Sequence, residues 1–585
     1  MSSETRQLPS RRIAFVADEL LGYAGNGIGT TTTFVSLALA RMGHSVEVIF
    51  AGRTPSGPVD PEWQRLYDDA GVRVREVPHS DKRVEPGYLA RTRDVEAALR
   101  ADPPEVVVVQ DLGAPAYTSL RLRRLGLAFE HTAFVVFCHG TRQWITDVSR
   151  KARVLPGAQA VTVLERASVE LADAVVSPSA YLVDWMRSEG WQLPEQTFVI
   201  PHLSRAGATG QPPPAPTQGQ EARVGRIVFF GRLEERKGVR PFLAALNTLE
   251  RGLLEQLEVG FIGRPTPPWP VDKVRNLLSD QARRALRGLK FETTLDQHEA
   301  LERLRRPDTL AVMPSFEENS PNTVYECLEN RIPFIASNVA GIRELVAPED
   351  RGRVLFEPTA EGIAEALRRA LADGDALQPA RAAFDDAESL RRWEDVLALH
   401  THAALPTGMA VGEVGPDWVI LLDEEDVPEP ELVDTLVRSQ QVSGADVVSC
   451  GLFVDGAVHL FPGEPGALGL LGNGYGTVAL VRRSLVDPDV GGRWPLLAKL
   501  SVAGARIVSV PIPLVSSPAP PASLDTDPAE ALQVMNYFEE TLPDDVRFLA
   551  ELVTRTAAEQ LWPAEPRARG FARRAARRLA RGWMR

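Results

Sequence analysis

Two segments far apart in the chain carry residue types that suit a charged, hydroxyl-rich ligand: FFGRLEERKG (229–238) and SFEENSPNTVYECLE (315–329). In the first, Gly231 and Arg232 follow a short apolar run, and Lys237-Gly238 close the motif. Glycine permits close backbone approach. Arg232 and Lys237 can reach one anion from two sides. A cation about 4 Å from a phosphate gains roughly 4 kcal/mol at an effective dielectric near 20, before desolvation. The alternative is a charged helix start on the surface, where Glu234, Glu235 and Arg236 belong.

In the second segment Glu317 and Glu318 end the apolar run TLAVMPS, and Glu326 follows Glu318 by eight positions. Ser320-Pro321 fits a helix start, with Ser as N-cap and Pro at the first helical position. The helix runs through VYECLE and stops near Asn330 and Pro333. Its free N–H groups and positive dipole end make an anion site suited to phosphate. Glu318 then lies in the turn at the mouth of a cleft. Glu326 faces the cleft if Val324 and Leu328 face the core, and there it can accept strong hydrogen bonds from sugar hydroxyls. Taken alone, Glu326 reads more simply as a solvated helix acid. AGNGIGT (24–30), a glycine-rich turn after a strand, and His139 in FCHG are further candidates. Each has a plain structural alternative, a βα turn and a hydrogen-bonding histidine.

The elements that must position these residues are legible as alternation. RRIAFVADEL, the glycine-rich turn, TTTFVSLALARMGHSVEVIF and then VREVPH, EVVVVQD, FVVFCHG, DAVVSPS and FVIPH read as Val-rich strands separated by helices. The pattern implies a parallel sheet covered on both faces. AGATGQPPPAPTQGQEARVG (206–225) is a Pro/Gly/Gln-rich linker. Beyond it RIVFFGR, LEVGFIGR, LKFET, TLAVMPS, PFIASN and RVLFEP restart the series, and DDAESLRRWEDVLALHTHA is its last helix. The expected fold class is therefore α/β: two Rossmann-like doubly wound domains facing a cleft, 1–205 and 226–403. Ligands bind at the carboxyl ends of such strands. A smaller partial α/β block follows over 404–550, then a helical and basic tail over 551–585.

The length of 585 residues requires several cores. The net charge of −13 argues against general nucleic-acid binding. The three cysteines, Cys138, Cys327 and Cys450, lie far apart. They form neither a disulfide framework nor a metal cluster, which suggests a reducing, cytoplasmic setting. MSSETRQLPSRR lacks the apolar stretch of a secretory signal, and no apolar run is long enough to span a bilayer. The tail RARGFARRAARRLARGWMR (567–585) carries eight Arg and no acid. It suits peripheral contact with the anionic inner face of a membrane; a solvated tail, or one docked on the acidic body, is the alternative.

The paired motifs are similar to those of the retaining, family-four glycosyltransferases of GT-B fold. That family carries G-R-L-x-x-x-K-G after the first strand of its second domain, matched here by GRLEERKG, and P-S-x-x-E-x7-E, matched by PSFEENSPNTVYE. The resemblance covers roughly 11–403. It implies that Arg232 and Lys237 hold the donor diphosphate as it leaves, that Glu326 binds the ribose and that Glu318 binds the donor sugar. It places Gly231, Asn319, Ser320, Asn322 and Thr323 beside sugar and phosphate, and Gly27 and Gly29 in the turn that approaches the diphosphate. His139 matches a position near the reacting carbon, so the catalytic set is Glu318, His139, Arg232 and Lys237. The sequence departs from the pattern at Asn319-Ser320-Pro321-Asn322, where the family has a Gly-Phe-Gly-like run. Pro321 removes one amide donor there. The implied reaction is front-face transfer from a UDP- or GDP-sugar to a carbohydrate or lipid-linked acceptor, and the site requires no metal or cofactor. Two other readings stand: a non-catalytic GT-B scaffold for another transferase, and a bifunctional enzyme.

The bifunctional reading comes from VILLDEEDVPEPELV. It resembles the metal-binding acidic turn of GT-A-type, family-two transferases, so Asp423, Glu425 and Asp426 could supply hard oxygen ligands. The nucleotide-binding strands that should precede this turn belong to the first enzyme, and the acidic pair expected before GARIV is missing. The 404–550 block is therefore read as a truncated, non-catalytic GT-A-like remnant, with a solvated DEED turn as the plain alternative.

Overall fold

The computed structural model describes residues 9–25, 27–52, 59–78, 80, 83–149, 156–210, 223–372, 374–399, 415–470, 472–518 and 530–534. The strands of the first half are β1 (Arg12–Ala17), β2 (Ser45–Phe50), β3 (Arg73–Glu76), β4 (Val84–Glu85), β5 (Val106–Gln110), β6 (Ala133–Phe137), β7 (Ala174–Ser177) and β8 (Thr197–Val199). Seven of them form one sheet in the order β3-β2-β1-β5-β6-β7-β8. Every pairing in it is parallel. Side chains alternate between faces along a strand. Accordingly Ile13 and Phe15 enter one core with Val106 and Val108. Ala14 and Val16 enter the opposite core with Val107 and Val109. Continuous valine runs are what a sheet buried on both faces requires.

The second sheet comprises β9 (Arg226–Phe230), β10 (Glu258–Ile262), β11 (Gly288–Glu292), β12 (Thr309–Met313), β13 (Phe334–Ser337) and β14 (Leu355–Phe356). Its order is β11-β10-β9-β12-β13-β14, again all parallel. Ile227 and Phe229 face one core, Val228 the other. In each sheet the order reverses beside the first strand, between β1 and β5 and between β9 and β12. Those are the switch points where a crevice opens beyond the strand ends.

The expected last helix of the second half forms over Asp386–Leu397. It packs elsewhere than the chain order suggests. Trp393, Val396 and Leu397 join the core of the first sheet with Ile13 and Phe15. Asp386 receives the Ser204 backbone N–H at 2.9 Å, which ties the crossing helix to the end of the first lobe.

The third block holds β15 (Trp418–Leu421), β16 (Val427–Pro428), β17 (Val447–Val454), β18 (Ala457–His459), β19 (Ala479–Arg482) and β20 (Ile507–Ser517). The sheet is mixed: β17 pairs β20 in parallel and β18 and β19 antiparallel. It is not a free-standing appendage. β18 recruits β4 from the first half. Val84, Leu89, Tyr117 and Leu164 share a buried cluster with Val458 and Leu460. Leu125 enters the main core of the third sheet. Tyr117 Oη accepts the Gly463 N–H at 2.7 Å.

All three cysteines are buried and free. Among the described residues no helix is long and apolar enough to cross a membrane. Most of the 206–225 linker and the whole 551–585 tail lie outside the described residues.

Candidate active site

The second sheet's switch point brings the two motifs together. After β9 the chain passes Gly231, at φ +149°, and turns through a short 3-10 helix at Glu235–Lys237 into Gly238, at φ +77°. A Cβ on Gly238 would lie 1.8 Å from the Pro314 carbonyl oxygen, so only glycine allows this approach. Phe316 N–H donates to the Arg236 carbonyl at 2.9 Å, and the 236–238 turn is thereby docked on 314–318.

Glu318, 4% exposed, sits at the centre. One carboxylate oxygen accepts from Arg236 Nη1 at 2.9 Å and the other accepts from Lys237 Nζ. Arg236 also donates to the Glu317 carbonyl at 3.2 Å and to Glu234 at 3.2 Å. Burial pushes the Glu318 carboxyl up, but Lys237 and Arg236 outweigh it and hold the group at about 2. Burial lowers the Lys237 ammonium against the pull of Glu318, and Arg236 adds to the fall. Burial also works against Arg236, whose guanidinium Glu318 and Glu234 raise.

Three expectations change here. Glu318 is enclosed and ion-paired rather than open at the cleft mouth. Arg236 is a buried partner of Glu318, not a solvated residue of a charged helix start. Arg232 turns outward, its side chain 59% exposed and paired with Glu234 at 3.3 Å. The two cations that converge are thus Arg236 and Lys237.

The helix after β12 spans Asn322–Glu329, with Pro321 as N-cap and no side-chain cap. Ser320 does not cap it, because its hydroxyl hydrogen-bonds Tyr325 Oη at 2.9 Å. Thr323 lies in the first turn. Val324, Cys327 and Leu328 face the core, and this leaves Glu326 on the other side. Gln297 Nε2 donates to Glu326 Oε1 at 2.6 Å. Burial pushes Glu326 up to about 7, although Gln297 favours its ionised form.

The opposite wall comes from the first lobe. Gly27 and Gly29 are not in a turn before the helix; they form the first turn of the Gly27–Arg41 helix. A Cβ on Gly29 would lie 2.9 Å from Leu20 N, so this helix start is pressed against the loop after β1. Asn322 Nδ2 donates across the cleft to Gly27 O at 3.3 Å. Asn319 Nδ2 donates to His139 O at 3.0 Å, while Ser179 Oγ donates to Asn319 Oδ1 at 2.5 Å. The His139 ring rests on Phe137, centroids 4.4 Å apart. Burial, with His202 nearby, drives its pKa down to about 3, so the imidazole is neutral at physiological pH. Asp111, fully buried, holds the His139 and Gly140 amides at 2.9 and 3.0 Å. Glu344 of the second lobe accepts from Ala180 N and Tyr181 N at 2.8 and 2.9 Å, capping a first-lobe helix from across the cleft.

Sequence reasoning missed Arg236, Gln297, Asp111 and Glu344. The acidic residue after the Val-rich run at 106–110 was the one usable signal for Asp111; Glu344 carried none.

The carboxylates Asp423 and Asp426 of the third block's acidic turn have partners within the protein. Asp423 Oδ1 is taken by Arg493 at 2.6 Å. Asp426 accepts from Ser517 and from the Asp423 amide. Among the described residues no group of three or more His, Cys, Asp or Glu is placed to hold a metal, Glu425 included.

Residues 26–202 match the family model described as glycosyl transferase 4-like domain, and residues 219–387 match glycosyl transferases group 1. Both matches end before the third sheet begins. Glycogen synthases from two Mycobacterium tuberculosis strains, CDC 1551 / Oshkosh and ATCC 25618 / H37Rv, are each 27% identical over 420 residues, 66% of this chain and 92% of theirs. Among solved structures, sucrose-phosphate synthase (tll1590) from Thermosynechococcus elongatus aligns over 66% of this chain and 96% of its own at 18% identity and TM-score 0.47. WaaG, a glycosyltransferase involved in lipopolysaccharide biosynthesis, aligns over 66% and 96% at 16% identity and TM-score 0.44. The two parallel-sheet lobes are thus the segments that match the glycosyltransferase domain models.

Proposed function

We propose that this GT-B glycosyltransferase moves a sugar, with retention of anomeric configuration, from a UDP- or GDP-sugar to a carbohydrate or lipid-linked acceptor. Residues 1–205 serve as the acceptor-side lobe and 226–403 as the donor lobe, joined by 206–225. The observation that carries the reading is Glu318 bridging Arg236 and Lys237 at the β9/β12 switch point, across from His139.

In this reading Lys237, Arg236 and, after a side-chain swing, Arg232 neutralise the leaving diphosphate. The free amides at the start of the Asn322–Glu329 helix add to that field. Glu326 and Gln297 take the ribose hydroxyls. Glu318 holds both cations in place and turns its remaining lone pairs and the Asn319–Asn322 backbone to the donor sugar. The acceptor oxygen bonds to the anomeric carbon on the face the diphosphate leaves; the sugar–phosphate bond breaks with its electron pair on the phosphate oxygen, which takes the acceptor's proton. Positioning and charge stabilisation then supply the rate. His139, neutral, hydrogen-bonds near the reacting carbon. The relatedness to glycogen synthases favours a carbohydrate acceptor. The 404–550 block serves as a non-catalytic brace, and the Arg-rich 567–585 segment as a contact for anionic membrane, testable by vesicle sedimentation of the full chain.

The test is a mass-spectrometric screen of UDP-, GDP- and ADP-sugars with a mixed acceptor panel, followed by NMR of the product anomer. Transfer with the donor's anomeric configuration is expected. An inverted product sinks the mechanism. Donor binding with no turnover on any acceptor returns the protein to a scaffold role.

A further inference from the structure

The start of the first-lobe helix Ala180–Ser188 is held from both lobes. Ser179 caps it from its own side, its hydroxyl oxygen accepting the Leu182 N–H at 3.1 Å. The second lobe takes the next two amides. Glu344 spends one carboxylate oxygen on Ala180 N and the other on Tyr181 N, at 2.8 and 2.9 Å. The Ser179 hydroxyl also donates to Asn319 Oδ1 at 2.5 Å. A carboxylate on a helix start gains twice, from charge-assisted bonds and from the positive end of the helix dipole.

Glu344 is rigidly tied to the turn that carries Glu318. Its short helix, Ala340–Leu345, begins against that turn. A Cβ on Gly341 would lie 1.8 Å from the Asn319 carbonyl oxygen and 2.2 Å from that of Glu318, so glycine lets the two segments pack as one piece. Tyr181 makes a second set of contacts beside the first. Its hydroxyl accepts from Trp144 Nε1 at 3.1 Å. Burial raises the Tyr181 hydroxyl, and Glu317, hydrogen-bonded to it from the second lobe, raises it further, so it stays protonated. The Trp144 indole, 4% exposed, has the Arg236 guanidinium over its face, 6.0 Å from the ring centroid. A Cβ on Gly140, at φ +129°, would lie 2.8 Å from the same indole, which is thereby seated on the His139–Gly140 turn.

We propose that Glu344 and Tyr181 are positioning residues: they clasp the first lobe onto the 317–319 turn and so set Glu318 and Arg236 for transfer without touching the donor. This rests on the transferase reading above and names residues that act through its site. The effect is selective. In that reading Glu326, Gln297 and the cations hold the nucleotide, all within the second lobe, and Arg236 keeps Glu318 and Glu234 there. A bare nucleotide therefore binds without the clasp. Transfer depends on it, because the acceptor comes from the first lobe and water must be shut out where the lobes meet.

The experiment compares wild type with Glu344→Gln, Glu344→Asp and Tyr181→Phe in the full chain. Transfer and donor hydrolysis are followed together with the donor that the nucleotide-sugar screen selects. Affinity for UDP, GDP and ADP is measured by calorimetry, and amide hydrogen exchange is followed by mass spectrometry. Glu344→Gln should lower transfer kcat by about 10- to 100-fold, the scale for misplacing reacting groups by about an ångström. It should raise the ratio of donor hydrolysis to transfer and leave nucleotide affinity within about twofold. Exchange should quicken on both sides of the cleft, in 179–188 and in 316–319. Glu344→Asp, which keeps the charge, should recover part of the kcat. Tyr181→Phe keeps the ring and should move the same readouts the same way by less. Wild-type kcat and hydrolysis ratio in both Glu344→Gln and Tyr181→Phe overturn the proposal. So does an equal fall in nucleotide affinity and transfer, or a lowered melting temperature with an unchanged hydrolysis ratio, each of which marks a merely structural role. Faster exchange confined to 179–188 defeats the clasp by itself. Wild type that turns over no donor defeats the transferase reading instead, and the exchange comparison still decides whether Glu344 ties the lobes together.

Discussion

Glu318 and Lys237, 81 positions apart in the chain, form a buried ion pair across the β9/β12 switch point, with Arg236 on the other carboxylate oxygen at 2.9 Å. Truncating the carboxylate strands the buried Lys237 ammonium and leaves Arg236 with only Glu234 and the Glu317 carbonyl as hydrogen-bond partners. Glu318→Ala should cost about 3–5 kcal/mol of stability, the usual penalty for leaving a buried charge unpaired. Urea denaturation measures it. The pH dependence follows the same pair. Glu318 is depressed in the folded chain, to about 2, so its contribution is present above its unfolded pKa and disappears as pH falls through the folded one. The Glu318→Ala chain should therefore lose less stability than wild type on acidification between about pH 5 and 2.

In the transferase reading, Lys237→Ala removes a cation assigned to the leaving group while Arg236 continues to satisfy Glu318. Transfer kcat should fall by about 100-fold or more, the scale for losing one preorganised charge partner of the leaving group. The fold should survive, since Glu318 keeps one partner. Steady-state kinetics beside a thermal melt separate the two effects. A variant with wild-type kcat places the departing phosphate elsewhere.

Much of this site was legible because its residues obey short-range rules. Valine runs with apolar residues on both faces can only be interior parallel strands, and glycine at 238 marks a position that tolerates no side chain against Pro314. Lys237 and Glu318 stood out by type and by their places after strands. Arg236 did not, because EERK reads as a charged surface turn; the 3-10 turn at Glu235–Lys237 swings it inward, and charge alternation carries no such information. Ser320 looked like a cap, but Tyr325, one turn on, claims its hydroxyl. The β4 strand was invisible: two residues, Val84 and Glu85, whose ladder partners Val458 and His459 lie in the third block. Asp423 stands out because its neighbours are acidic, but its ion-pair partner Arg493, 70 positions later, carries no such signal.

If Glu326 binds the donor's ribose as proposed, it links donor affinity to pH. Burial raises its carboxyl to about 7. The ionised form is the stronger acceptor for ribose hydroxyls, so nucleotide affinity should rise as pH climbs through about 7 and level off above it. Gln297, on the adjacent helix, faces the carboxylate and does not titrate; Glu329 is the nearby acid that raises it. Glu326→Gln should bind more weakly at pH 8 and lose the pH step. Calorimetry with UDP and GDP between about pH 5.5 and 8.5 reads both features. An identical step in the Gln variant assigns the titration to another group.

Gly238→Ala tests the docking of the two motifs without touching a charge. The residue sits at φ +77°, and its Cβ would lie 1.8 Å from the Pro314 carbonyl. Left-handed backbone alone costs a non-glycine about 1–2 kcal/mol; the clash must also push 236–238 away from 314–318. Activity should fall further than stability, because the displaced turn carries Arg236 and Lys237. A kcat loss below threefold would mean that the turn can shift without disturbing the cations.

The third sheet is built into the first lobe, and that makes a prediction about the whole chain. β4 pairs with β18, Tyr117 accepts the Gly463 amide, and buried Arg121 pairs with the exposed Glu464 at 3.2 Å. Tyr117→Phe leaves the Gly463 amide unsatisfied, at a cost of about 1–3 kcal/mol. Ending the chain after residue 399 is harsher. It bares Val84, Leu89, Tyr117 and Leu125, which the third block covers. The truncated protein should melt well below the full chain and associate through that face, even though both segments that match the glycosyltransferase models are intact in sequence. Calorimetry and light scattering on the two proteins decide it. A truncated chain that stays monomeric and melts with the full-length protein would show that the seam contributes nothing to the lobe it rests on, and the brace role of the third block would fall.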